Sequence, residues 1–87
     1  YNFGLQVIDV SVPTSPVSLG AYSPPGAEFW DVEMVGSLAY VADTSSGLRI
    51  IDLSNPANPA QVGSYNITGS AFGLTVAGTK VFVANST

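Results

Sequence analysis

Asp31 and Glu33 are the two side chains in this sequence whose type and spacing most invite chemistry. In an extended stretch, residues two apart share a face, and two carboxylates on one face could act as the acid and base of a glycosidase. The rest of the chain gives that reading little help. It contains no His and no Cys, so the usual general base, the commonest transition-metal ligand and the thiol nucleophile are missing together. Ser and Thr are plentiful, but none sits in a nucleophile elbow beside a base. The favoured reading is that Asp31 and Glu33 line a solvated channel or meet a neighbouring structural unit, and that the protein is not an enzyme. Trp30 and Tyr22 join them as candidate ligand or interface contacts, since an aromatic face can stack on a sugar or on a packed neighbour.

Asp9 and Asp52 occupy matching places in the turn pattern Asp-x-Ser-x-Pro. Such an Asp serves as a structural turn residue, its carboxylate accepting from backbone N–H groups just ahead. Calcium is the one ion these residues could bind, yet Ca²⁺ takes six to eight oxygens, and one Asp per turn falls short. No cofactor is expected. Asn66-Ile67-Thr68 and Asn85-Ser86-Thr87 fit Asn-x-Ser/Thr, which makes Asn66 and Asn85 candidate N-glycosylation sites if the chain is exported.

Charge excludes more than it suggests. Charged residues are 9% of the 87, and the net charge is −4 with only Arg49 and Lys80 basic. Nucleic-acid binding and attraction to anionic membranes both need clustered cations, so neither is expected. No apolar run reaches the ~18 residues of a membrane-spanning helix. So little charge on so small a chain points to a surface covered by more protein or by glycan. The start at Tyr1, without Met or a leader pattern, suggests a processed product or part of something longer.

The elements that would position these residues come from an internal repeat. Gly4-Leu-Gln-Val-Ile-Asp-Val-Ser11 is echoed 43 residues later by Gly47-Leu-Arg-Ile-Ile-Asp-Leu-Ser54, and Pro13, Pro16, Gly20 and Tyr22 by Pro56, Pro59, Gly63 and Tyr65. Gly36-Ser-Leu-Ala-Tyr-Val-Ala-Asp43 is echoed at an offset of 42 by Gly78-Thr-Lys-Val-Phe-Val-Ala-Asn85. The one-residue difference falls in the loop Ser23–Ala27, where length changes are tolerated. Trp30 then corresponds to Phe72, and Asp31 and Glu33 to Gly73 and Thr75.

Short runs rich in Val, Ile, Tyr and Phe, punctuated by Gly, Pro, Asn and Ser, predict strands over Leu5–Val10, Val17–Tyr22, Phe29–Val35, Leu38–Ala42, Leu48–Leu53, Gln61–Tyr65, Phe72–Val76 and Lys80–Ala84. Glycines 20, 36, 63 and 78 are assigned to turns. The chain is expected to be a single two-repeat unit, repeat 1 spanning about 1–43 and repeat 2 about 44–87. Four short antiparallel strands in a repeat of this length make a β-propeller blade. The fold expected is all-β: half a blade, a full blade, then half a blade. Joined on paper, Thr87 and Tyr1 make a normal repeat.

The stretch Gly47-Leu-Arg-Ile-Ile-Asp-Leu-Ser-Asn-Pro56, preceded by Ala39-Tyr-Val-Ala-Asp43, resembles the LVIVD repeat family. The resemblance covers nearly the whole chain twice. It implies a β-propeller of the kind found in bacterial and archaeal cell-surface and secreted proteins, and it brings no catalytic motif. Two departures stand out: Asn85 replaces the Asp of position 43, and Tyr1–Phe3 lengthen one loop.

Repeats of this kind cannot bury their faces alone, and open strand edges invite pairing. The function expected is therefore an extracellular or cell-surface structural protein. Its blades would be completed by other copies of the chain, in a filament or a ring, or by flanking repeats. A propeller binding module for protein or carbohydrate, reading its ligand through the loops Ser23–Ala27 and Asp43–Gly47, is the alternative.

Overall fold

A computed structural model describes residues 4–67 and 69–86. It contains eight strands and, among the described residues, no helix: β1 Leu5–Asp9, β2 Val17–Tyr22, β3 Phe29–Val35, β4 Leu38–Asp43, β5 Gly47–Asp52, β6 Ala60–Tyr65, β7 Ser70–Ala77 and β8 Lys80–Ser86. They form three antiparallel sheets: β1–β2, β3–β4–β5–β6, and β7–β8.

Local chemistry accounts for where the strands stop. The β3–β4 and β7–β8 hairpins turn on Gly36-Ser37 and Gly78-Thr79. Gly36 and Gly78 have φ of 59° and 60°, while among the described residues no non-glycine residue has positive φ. A positive φ at the first central position alone is the type II′ turn, whose twist matches that of the flanking strands. Strands β1 and β5 end at Asp9 and Asp52. There Oδ1 of each carboxylate accepts from the N–H of Ser11 or Ser54, both at 2.8 Å, and turns the backbone out of the ladder. Both strands thus end one residue before the sequence pattern suggested. Strand β7 starts two residues earlier than expected, because Ser70 and Ala71 pair with Ser86 and Asn85.

The repeat is visible in the registers. Strand β3 pairs with β4 from Phe29↔Asp43 to Val35↔Leu38, and β7 pairs with β8 from Ala71↔Asn85 to Ala77↔Lys80 at equivalent positions. Strands β1 and β2 pair as β5 and β6 do, Leu5↔Tyr22 matching Leu48↔Tyr65. Irregularities also recur at matching places, between Phe29 and Asp31 as between Ala71 and Gly73, and between Val7 and Ile8 as between Ile50 and Ile51. Such bulges bend a strand and re-aim a side chain. The extra residues on β3 and β7 are Trp30 and Phe72.

The core lies on the middle sheet. Ala39, Val41 and Ile51 are fully buried, with Leu5 and Tyr22 of the first sheet packed over them beside Phe29 and Leu53. Ala42, which alternation places on the other face of β4, is equally inaccessible, and β7 runs alongside β3 and β4. The middle sheet is thus covered on both sides.

Gly20 and Gly63 are not turn glycines, as the sequence pattern suggested; they sit inside β2 and β6. Gly20 is required by a close approach. A Cβ there would collide with the carbonyl oxygen of Pro56, in the β5–β6 connection of the middle sheet.

Candidate functional site

Asp31 and Glu33 reach from β3 to the neighbouring strand β7. Both strands begin their sheets, so each presents an edge of backbone groups without a ladder partner. Asp31 Oδ2 accepts from the N–H of Leu74 at 3.1 Å, and Glu33 Oε2 from the N–H of Val76, also at 3.1 Å. Asp31 Oδ1 takes the N–H of its neighbour Val32 at 3.0 Å. The carboxylates do for β7 what another strand would do, satisfying donors that an edge leaves open. They act as a clamp between sheets, and charge-assisted bonds of this kind are the stronger class. Glu33→Ala removes one of them and is expected to cost about 1–2 kcal/mol, read as a lowered unfolding midpoint in urea. Glu33→Gln, which keeps an acceptor, is expected to cost less.

The aromatic pair stands beside the clamp. Trp30 and Phe72, the two bulged residues, meet edge to face with centroids 6.4 Å apart. Trp30 nevertheless stays 60% exposed. Tyr22 is half-buried; its ring stacks on Phe29 at 6.3 Å, and its hydroxyl lies 3.5 Å from Gln61 Oε1, the outer limit of a hydrogen bond.

A second polar cluster, absent from the sequence-based candidates, is more deeply buried. Asp43 closes β4 with no accessible surface. Its Oδ2 receives Arg49 Nε at 2.7 Å, and its Oδ1 receives the N–H and hydroxyl of Ser45 at 2.9 and 2.8 Å. Arg49 also donates through Nη1 to Gln61 Oε1 at 3.0 Å and through Nη2 to Ser46 Oγ at 3.1 Å, and its guanidinium lies over the Phe29 ring. Burial pushes the Asp43 carboxyl up, but the Ser45 donors and Arg49 together hold it below the ordinary carboxylate value. The signal was present in the sequence: Asp43 ends the stretch Tyr40-Val-Ala-Asp43, whose repeat equivalent ends in Asn85, and Arg49 is the only arginine. What was missing was the Asp43↔Gly47 register, which brings the two side chains together.

The remaining candidates are more ordinary in their surroundings. Asp9 and Asp52 are held below the usual carboxylate range, first by the backbone N–H and then by the hydroxyl of Ser11 or Ser54. Asn66 and Asn85 are exposed; Thr68 and Thr87 of their sequons lie outside the described residues, as do Tyr1–Phe3. Among the described residues no group of three or more His, Cys, Asp or Glu is placed to hold a metal ion.

No curated protein and no solved structure matches the chain. The LVIVD repeat does match, over residues 2–23 and again over 26–67. Those two stretches take in β1–β2 and then the whole of the middle sheet, so the match follows the structural units. With most of its length so accounted for, the chain belongs to the LVIVD repeat family.

Proposed function

We propose that this chain is a non-enzymatic, extracellular structural protein: a propeller unit of half-blade, full blade and half-blade that assembles end to end. The observation that carries this reading is the complementarity of the outer sheets. Strands β7–β8 repeat the registers of β3–β4, and β1–β2 those of β5–β6. Set side by side, the two outer sheets make up one more four-stranded blade like the middle one. Completing a sheet with a neighbour's strands combines backbone hydrogen bonds with burial of apolar faces. Repeated head to tail, such a contact gives a ring where the rotation closes and a filament where it does not. The flanking repeats of a longer chain would complete the blades in the same way. Location outside the cell rests on the scarcity of charge, the two sequons and the family resemblance. Electron microscopy of the purified protein should reveal rings or filaments with a repeat of two blades; isolated particles the size of one chain would count against assembly.

A binding module is favoured by one further observation. The loops at Ser23–Ala27 and Asp43–Gly47 are tied together, the Ser45 hydroxyl donating to Gly26 O at 3.2 Å, and just beyond the first loop the Thr44 N–H and hydroxyl donate to Glu28 O and Oε1, each at 3.0 Å. On that reading Trp30→Ala abolishes carbohydrate or protein capture while leaving assembly intact.

A further inference from the structure

Within one chain the first sheet already docks on the middle sheet, and that contact supplies a template. We propose that a second copy of this chain lays its β1 along the open edge of β8, in the register that β5 holds against β4, and brings its Pro13 against Gly63. The inference rests on the end-to-end reading above and gives it residues.

The register transposes directly. Leu38↔Asp52 through Asp43↔Gly47 becomes Lys80 opposite the partner's Asp9, Val81 opposite the partner's Ile8, and Asn85 opposite the partner's Gly4. At one end Lys80, which forms no ion pair among the described residues, faces a carboxylate. At the other end the charged pair of the full blade is replaced on both sides at once. Asn85 stands for Asp43, and the partner's Gln6 for Arg49. Changing one side alone would leave a charge without its counterpart in a site that the full blade buries completely. Changing both gives two amides, each with donors and an acceptor to offer the other. These matched exchanges lie on sheets that are separate within one copy and become neighbours only across the junction.

The glycines give a second, independent argument. Gly20 of β2 accommodates the Pro56 carbonyl of the next sheet, as described above. Gly63 is its repeat equivalent, and Pro13 is the equivalent of Pro56. Within one copy Gly63 has no such constraint: a Cβ there would meet only Ile50 side-chain atoms, at 3.5 Å or more, and its φ is not positive. Docking by the internal template places the partner's Pro13 where Gly63 leaves room for it.

The exposed faces agree. Ile51 is 0% exposed, covered by the first sheet, whereas its equivalent Ile8 is 48% exposed. Tyr22 is half-buried against the middle sheet, whereas its equivalent Tyr65 is 70% exposed. A groove of about 200 Å³ lies between β1 and β3, lined by Leu5, Phe29, Trp30 and Val41 among others. It adjoins the β1 edge, where the β8 of a preceding copy would lie.

The test compares association of the wild-type chain with that of variants, by analytical ultracentrifugation. Gly63→Ala is expected to leave the fold and its melting temperature in dilute solution unchanged and to weaken association at least tenfold. Asn85→Asp is expected to weaken association similarly, and Asn85→Asp with Gln6→Arg to restore it. Wild-type association that Gly63→Ala leaves intact, or a double variant no better than Asn85→Asp, overturns the proposed docking while sparing the end-to-end reading. A wild-type chain that stays monomeric overturns both.

Discussion

Arg49→Ala is expected to be the most damaging single substitution in the middle sheet. It strands the Asp43 carboxylate at a position with no access to solvent, and removing one partner of a buried ion pair costs about 3–5 kcal/mol. A domain of this size has only about 5–15 kcal/mol of stability in all. The same change releases the Gln61 and Ser46 contacts and uncovers the Phe29 ring. The effect has a pH signature. Because the Asp43 carboxyl is held below its ordinary value of 3.8 in the folded chain, its ionised form contributes stability that is present above that pH and fades as the pH falls below it. A protonated Asp43 has little need of the guanidinium. The stability gap between wild type and Arg49→Ala should therefore narrow in acid, measured by urea unfolding at neutral pH and near pH 3.

Ile51→Ala comes next. Ile51 is among the largest fully buried side chains and touches the core that joins the first sheet to the middle one. Truncation in such a place costs about 2–5 kcal/mol, because the neighbours collapse only partly into the space left behind. Its repeat equivalent gives an internal control. Ile8→Ala removes the same atoms from a half-exposed position, and in dilute solution it should cost well under half as much, read from the two unfolding midpoints. At concentrations where chains associate, the docking proposed above covers Ile8. The Ile8→Ala defect should then grow, appearing as weaker association. One substitution thus separates burial within a chain from burial between chains.

Most of the fold was legible in the sequence because the repeat is written twice. Two versions of Gly-Leu-x-Ile/Val-Ile-Asp fix the same strand, and the hairpin glycines Gly36 and Gly78 mark the same turn. Alternation placed Asp31 and Glu33 on one face, but what they meet there was beyond local pattern. That they reach the N–H groups of Leu74 and Val76 depends on how two sheets pack, 43 residues apart in the chain. The Asp43–Arg49 pair was overlooked for a related reason: it depends on cross-strand register rather than on spacing along one strand. Gly20 was read as a turn residue because most repeated glycines bend the chain. Its reason for being glycine lies on another sheet, in the Pro56 carbonyl.

The low charge also falls into place as a consequence of packing. Of the two cations, Arg49 is spent inside the middle sheet, and Lys80 stands on the edge strand where the proposed junction forms. Val62 and Tyr65 on β6 of the middle sheet, and Phe72 and Phe82 on the outer sheet β7–β8, all stay more than half exposed. Large apolar side chains left open in this way suit a chain whose sheets meet a partner.

The central claim is that the outer sheets are completed by polypeptide from beyond a single copy. Its most direct test is the molar mass of the purified chain, measured by light scattering over a hundredfold range of concentration. The account predicts mass that rises with concentration through multiples of the 8.9 kDa chain. A well-folded particle that holds the mass of one chain across the whole range would contradict it.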